Sequence, residues 1–84
     1  MSQILLFKAD WCHSCDEQDE LLAEYDATPV EHIDVDEEMD RANEYSVRSL
    51  PTLVLLDGEG NPQWRSTGLT QPTEIRQEVA RLDE

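Results

Sequence analysis

The chain reads as an α/β domain with the order strand, helix, strand, helix, strand, strand, helix: one four-stranded mixed sheet and three helices. Three observations carry that reading. Ile4-Leu5-Leu6-Phe7 and Leu53-Val54-Leu55-Leu56 are unbroken apolar runs, as expected of strands buried on both faces. The segments between and after them place apolar residues at helical spacing, and Asp57-Gly58-Glu59-Gly60-Asn61 is a glycine-bearing turn that folds the chain back on itself. At 84 residues there is room for one core, so residues 1–84 are expected to form a single domain.

Taken in order, Ile4–Lys8 is the first strand, followed by a turn at Ala9-Asp10-Trp11. A helix from Cys12 or Ser14 to about Tyr25 would turn Cys15, Leu21, Leu22 and Tyr25 inward. Asp16, Glu17, Asp19 and Glu20 lie on its outer side and in its first turns, where acids suit the helix dipole. Thr28-Pro29 ends it. Val30–Val35 is a weaker, partly polar strand, after which Asp36 can cap a short helix over Glu37–Tyr45 with Met39, Ala42 and Tyr45 on one stripe. Thr52–Leu56 is the second core strand, and Gln63–Thr67 returns antiparallel beside it. Gly68 breaks that strand. Pro72 then opens a last helix, capped by Thr70 or Thr73, with Ile75, Val79 and Leu82 at i, i+4 and i+7.

Composition narrows the function. Six basic residues stand against twenty acidic ones, a formal charge of -14. Lys8 and the scattered Arg41, Arg48, Arg65, Arg76 and Arg81 form no basic patch, so nucleic acid is excluded as a ligand and an anionic membrane would repel the chain. Acidity spread along the whole sequence points to a salt-rich cytosol, where molar salt cuts the Debye length to roughly 3 Å and removes most of the self-repulsion. No signal-peptide pattern and no membrane-length apolar stretch is found, which makes cytoplasmic location the expectation, and the charge favours a monomer at low salt.

Chemistry concentrates at Trp11-Cys12-His13-Ser14-Cys15, between the first strand and the first helix. A thiolate at a helix N-terminus meets unpaired N–H groups and the positive end of the dipole, so its pKa falls. Cys12, the outer thiol, is the candidate nucleophile. Cys15, one turn further, can resolve a mixed disulfide and close the Cys12–Cys15 ring without any cofactor. The same Cys-x-x-Cys spacing is half of a zinc site, or part of an iron-sulfur one, but His13 and His32 are the only other soft ligands and neither has a partner at motif spacing. No metal site is expected. His13 reads as a helix-start residue that can tune the thiolate, and His32 as an ordinary strand residue. Trp11 reads as a partly exposed apolar platform, whereas Trp64 in the edge hairpin reads as sheet packing.

Three landmarks together resemble the thioredoxin superfamily, in particular the small thioredoxin- and glutaredoxin-like proteins of archaea, including haloarchaea. They are Trp11-Cys12-His13-Ser14-Cys15, Tyr45-Ser46-Val47-Arg48-Ser49-Leu50-Pro51-Thr52, and Gly68 after the hairpin. The resemblance implies a thioredoxin-like fold, a cis Leu50–Pro51 bond facing the disulfide, and a substrate-binding rim of Trp11, His13, Ser14, Leu50, Pro51 and Gly68. Leu50 would offer backbone groups to an extended substrate in the manner of strand addition. The departures matter as well. His13-Ser14 replaces the usual Gly-Pro; a protonated His favours the thiolate, while Asp10, Asp16 and Glu17 oppose it, leaving a moderately lowered Cys12 pKa as the expectation. Leu6 stands where thioredoxins carry a buried Asp that assists proton transfer with the resolving cysteine, so water, Lys8 or another side chain would have to serve. Glutaredoxins also lack that Asp, but their Gly-Gly pair is not matched by Gly68-Leu69, and the reading settles on a thioredoxin-like protein with a shortened scaffold.

The function expected is a cytosolic dithiol-disulfide oxidoreductase that reduces protein disulfides through Cys12 and Cys15, with electrons restored by a thioredoxin reductase or another dithiol donor. Two other readings compete: an electron-delivery or noncatalytic module dedicated to one partner, and a zinc-binding structural protein, which would purify with stoichiometric zinc.

Overall fold

The computed structural model of the protein describes residues 1–25 and 27–82, so the expected domain over 1–84 extends beyond the described residues at Asp26, Asp83 and Glu84. The elements are β1 (Gln3–Lys8), α1 (His13–Ala23), β2 (Val30–Asp34), α2 (Met39–Glu44), β3 (Thr52–Leu56), β4 (Pro62–Thr67) and α3 (Pro72–Leu82). This is the predicted order. The strands lie β2-β1-β3-β4 in one sheet, with β1 parallel to β2 and antiparallel to β3, and β3 antiparallel to β4.

The two apolar runs occupy the two central strands, and their alternation sorts the core into two layers. Ile4 and Leu6 of β1 join Leu53 and Leu55 of β3 against Leu22 of α1 and Ile75 and Val79 of α3. Leu5 and Phe7 join Val54 and Leu56 on the opposite face with Ile33 of β2 and Ala42 of α2. Phe7 also meets Tyr45, with ring centroids 5.6 Å apart and planes tilted by 55°. Trp64 packs against the first layer, as its place in the hairpin implied.

The turn between β3 and β4 is organised by Asp57. One carboxylate oxygen accepts the backbone N–H groups of Glu59 and Asn61, each at 2.9 Å, and the other accepts Gln63 Nε2 at 2.9 Å. Gly60 supplies the positive φ, +85°, that closes the turn. The Asn61 N–H, more than the other donors, holds the Asp57 carboxyl below its ordinary value. A register shift between Leu55 and Leu56 lets β4 begin at Pro62, one residue earlier than expected.

Several local expectations are corrected. Helix α2 spans Met39–Glu44 rather than Glu37–Tyr45, and Asp36 does not cap it. Asp34 organises the entry instead: its Oδ1 accepts Asp36 N–H at 2.8 Å and Glu37 N–H at 3.3 Å, and its carbonyl accepts Glu38 N–H at 2.8 Å. Met39, expected on the inner stripe, is 64% exposed as the first residue of the helix, whose buried residue is Ala42. Helix α1 buries Cys15, Gln18 and Leu22, while Leu21 is only half-buried, so the inner stripe runs 15, 18, 22. At α3, Gln71 provides the carbonyl for Glu74 and Ile75 N–H, and Thr73 lies inside the helix. Thr70 turns its hydroxyl toward Ser66 Oγ at 2.7 Å and so is not spent on a cap.

Between β2 and α2, Arg41 forms a two-pronged ion pair with Glu31. The Arg41 hydrogen bond, reinforced by its charge, lowers the Glu31 pKa from its ordinary 4.5 and raises that of Arg41 in return. The contribution to stability is under about 1 kcal/mol, since Arg41 and Glu31 keep 33% and 41% of their side chains exposed. A carboxyl whose folded-state pKa is depressed stabilises the fold fully above its ordinary value, and that support disappears as pH falls through the depressed one. Glu31→Gln is therefore expected to melt a few degrees below the parent near neutral pH, with the gap closing as pH falls below 4.5. A gap in melting temperature that stays constant from pH 7 to pH 3 would contradict this role for the pair.

Candidate redox-active site

The site forms where β1 ends. Ala9, 1% exposed, accepts the Cys12 N–H at 3.1 Å, and this tight turn delivers Cys12 to the N-cap position of α1 with extended backbone angles, φ -99° and ψ 103°. Cys12 Sγ then accepts the backbone N–H of Cys15 at 3.2 Å. A sulfur fills the capping role that an oxygen usually plays, and the same N–H and helix dipole would favour a thiolate there after reduction. Cys12 and Cys15 are joined as a disulfide with Cα atoms 5.3 Å apart. Cys12 keeps 8% of its surface and Cys15 none, so Cys12 is the more accessible of the two.

Ala9 and the two cysteines form a small buried cluster against which Val35 and Leu50 pack. The Leu50–Pro51 bond is cis, as the family resemblance implied. Thr52, the first residue of β3, fixes this approach by donating its hydroxyl to Ser49 O at 2.7 Å. Gly68 donates its N–H to Pro51 O at 2.9 Å. Its φ of +80° is one that side chains rarely tolerate, and nothing lies within 4 Å of where a Cβ would stand, so glycine here serves the backbone angle and leaves the surface open.

Of the residues singled out from the sequence, Cys12, Cys15 and Leu50 pack together, and Pro51 and Gly68 are bound to one another beside them. Trp11 is 68% exposed and adjoins Cys12 in the chain. His13 and Ser14 lie exposed in the first turn of α1. His32 stands apart from the cysteine cluster, with Nε2 2.8 Å from Asp19 Oδ1. Lys8, considered as a proton route, has its Nζ 3.9 Å from Asp19 Oδ2. Leu6 is fully buried in the apolar layer beneath α1 and α3, so the position of the missing acid is a core position here. Among the described residues, no group of three or more His, Cys, Asp or Glu side chains is arranged to hold a metal ion.

Two site features escaped the sequence reading. Asp36 accepts the Trp11 indole N–H at 3.0 Å, which fixes an exposed aromatic plate beside Cys12. No local pattern marks that contact, since it joins residues 25 apart. Gln18 is fully buried and exchanges two hydrogen bonds with the Thr70 backbone, at 3.1 and 2.7 Å. A polar residue three positions after Cys15, hence on the same helix face, was the available signal.

Comparison with known families matches residues 2–81 to Thioredoxin. The chain belongs to the thioredoxin family. Thioredoxin-T of Drosophila melanogaster is 42% identical over 60 residues, which are 66% of this chain but only 38% of the Drosophila protein. Thioredoxin 1 of Chlorobaculum tepidum is 33% identical over 78 residues, covering 87% of this chain and 76% of that one. Among solved structures, a mutant thioredoxin from Halobacterium salinarum superposes with a TM-score of 0.86 at 32% identity, covering 99% of this chain and 75% of that chain. The thioredoxin NaTrxh of Nicotiana alata gives 0.82 at 28%, covering 96% and 72%. These relatives span distant taxa, so the match establishes the thioredoxin family and not an archaeal lineage. With that fold, the Cys12–Cys15 pair at the start of α1 is a thiol–disulfide redox centre.

Proposed function

We propose that the protein is a dithiol-disulfide oxidoreductase that reduces disulfides in other proteins. The observation that carries this reading is the asymmetry of the pair: Cys12 at the helix N-cap keeps 8% of its surface, and Cys15 behind it keeps none. In the reduced state, the Cys12 thiolate attacks one sulfur of a substrate disulfide. A Cys12–substrate bond forms as the substrate S–S bond breaks, and the departing thiolate takes a proton from solvent. Cys15, deprotonated, then attacks Cys12 Sγ, forming the Cys12–Cys15 disulfide as the Cys12–substrate bond breaks, and the second substrate thiolate takes a proton from solvent. Two electrons and two protons pass from the dithiol to the substrate.

Trp11, His13, Ser14, Leu50, Pro51 and Gly68 form the substrate rim in this reading. The exposed indole and the open surface at Gly68 support it, because an extended segment can lie across them and pair with backbone near residue 50. A thioredoxin reductase or another dithiol donor returns the electrons. With Leu6 in the core, no acid at that position takes the proton of Cys15, which passes instead to water, Lys8 or another nearby side chain.

The setting proposed is a salt-rich cytosol, as in haloarchaea, and the protein is proposed to be a monomer where salt is low. The support is the formal charge of -14. No helix is long and apolar enough to cross a membrane among the described residues. The melting temperature should rise steeply from low to multimolar KCl; a flat or falling curve would remove the halophilic part of the proposal.

For the activity itself, insulin reduction with dithiothreitol as electron source should depend on Cys12 and Cys15, with Cys12→Ser inactive. Cys15→Ser should accumulate mixed disulfides with many proteins of a cell extract. Insulin reduction undiminished by Cys12→Ser would sink the assignment, while capture of a single protein would favour a module dedicated to one partner.

A further inference from the structure

Between the end of β4 and the start of α3, residues 68–71 belong to no strand or helix, yet Thr70 is only 1% exposed. Its backbone N–H and C=O are removed from water without a ladder to pair them, an arrangement that is costly if left unmet. Gln18 meets both. Its Oε1 accepts Thr70 N–H at 2.7 Å, and its Nε2 donates to Thr70 O at 3.1 Å, so the side-chain amide pairs with the chain as a neighbouring strand would. The Thr70 hydroxyl extends the network to Ser66 Oγ at 2.7 Å and to Gly68 O at 3.4 Å.

The placement links this network to the redox centre on both sides. Gln18 lies one turn after Cys15 on the buried face of α1. Thr70 lies two residues after Gly68, which is bonded to Pro51 O, and Leu50 packs on the disulfide. A closed circuit results: Cys15, α1, Gln18, Thr70, Gly68, Pro51, Leu50 and back to the cysteines. An apolar side chain could fill the volume of Gln18, but it could not register the 68–70 segment against α1.

We propose that Gln18 is a positioning residue for protein substrates: its amide pair with Thr70 holds the Gly68 side of the rim in register with the disulfide-bearing end of α1. This rests on the reductase reading above. The hydrogen bonds of Gln18 go to the Thr70 backbone and not to either sulfur, so electron exchange with a small disulfide that ignores the rim does not need them. A protein disulfide, laid across Gly68 and Leu50, does.

The test compares insulin with bis(2-hydroxyethyl) disulfide as substrates for the parent, Gln18→Met and Thr70→Val, each shown to be folded by circular dichroism at the assay temperature. Gln18→Met keeps the shape and removes both amide bonds; Thr70→Val keeps them and removes only the hydroxyl links. For Gln18→Met, kcat/KM for insulin should fall about tenfold, mainly through KM, while turnover of the small disulfide stays within about twofold of the parent. Thr70→Val, which leaves both amide bonds in place, should shift the insulin KM by less, and Gln18→Leu, which removes them as Gln18→Met does, carries the test if Gln18→Met does not fold. Equal losses on both substrates, or no change in the insulin KM of the folded variants, would overturn the proposal. Parent protein that reduces insulin independently of Cys12 would instead overturn the reductase reading, and the proposal with it.

Discussion

The structure depends on burying two adjacent strands on both faces. β1 and β3 contribute Ile4 to Phe7 and Thr52 to Leu56, all buried, and a sheet centre of that kind is stable only with cover above and below. Helices α1 and α3 supply one cover and α2 the other. Because β1 is central, its end opens between those layers, and the turn at Ala9 places Cys12 where β1 gives way to α1. The redox centre is thus a consequence of where a buried central strand stops.

What surrounds the disulfide is held by few polar contacts, each crossing a long stretch of chain or pinning a turn. Thr52 fixes the approach to Pro51, Gly68 ties that segment to the end of β4, Gln18 ties the end of β4 to α1, and Asp36 steadies Trp11. None of the buried side-chain polar atoms among the described residues lacks a partner. The apolar layers set the position of the site, and this set of hydrogen bonds sets its shape. The acidic surface stands largely outside both. Asp57 and Glu31 have structural tasks, in a turn and in an ion pair, while most of the remaining carboxylates lie on exposed faces.

Legibility from sequence followed the range of the interactions. Consecutive apolar residues in β1 and β3, the glycine turn after Leu56 and the cysteines between a strand and a helix are local patterns, and each appeared where expected. Pro51 became informative only through the family resemblance, since a proline before a strand is ordinary by itself. The start of α2 differs from the expected one because Asp34 does the organising that Asp36 could equally have done. Asp36 with Trp11 and Gln18 with Thr70 join residues 25 and 52 apart, and no periodicity reports such pairings.

The central claim is that Cys12 and Cys15 act as one two-electron centre poised to reduce other proteins. A redox titration of the pair, performed in high salt and read by thiol alkylation and mass, addresses it most directly. The account predicts a single two-electron transition with a midpoint of about -270 mV, in the range of a thioredoxin acting as a reductant. A midpoint near about -120 mV, the range of a thiol oxidant, or thiols that titrate independently of each other, would contradict it.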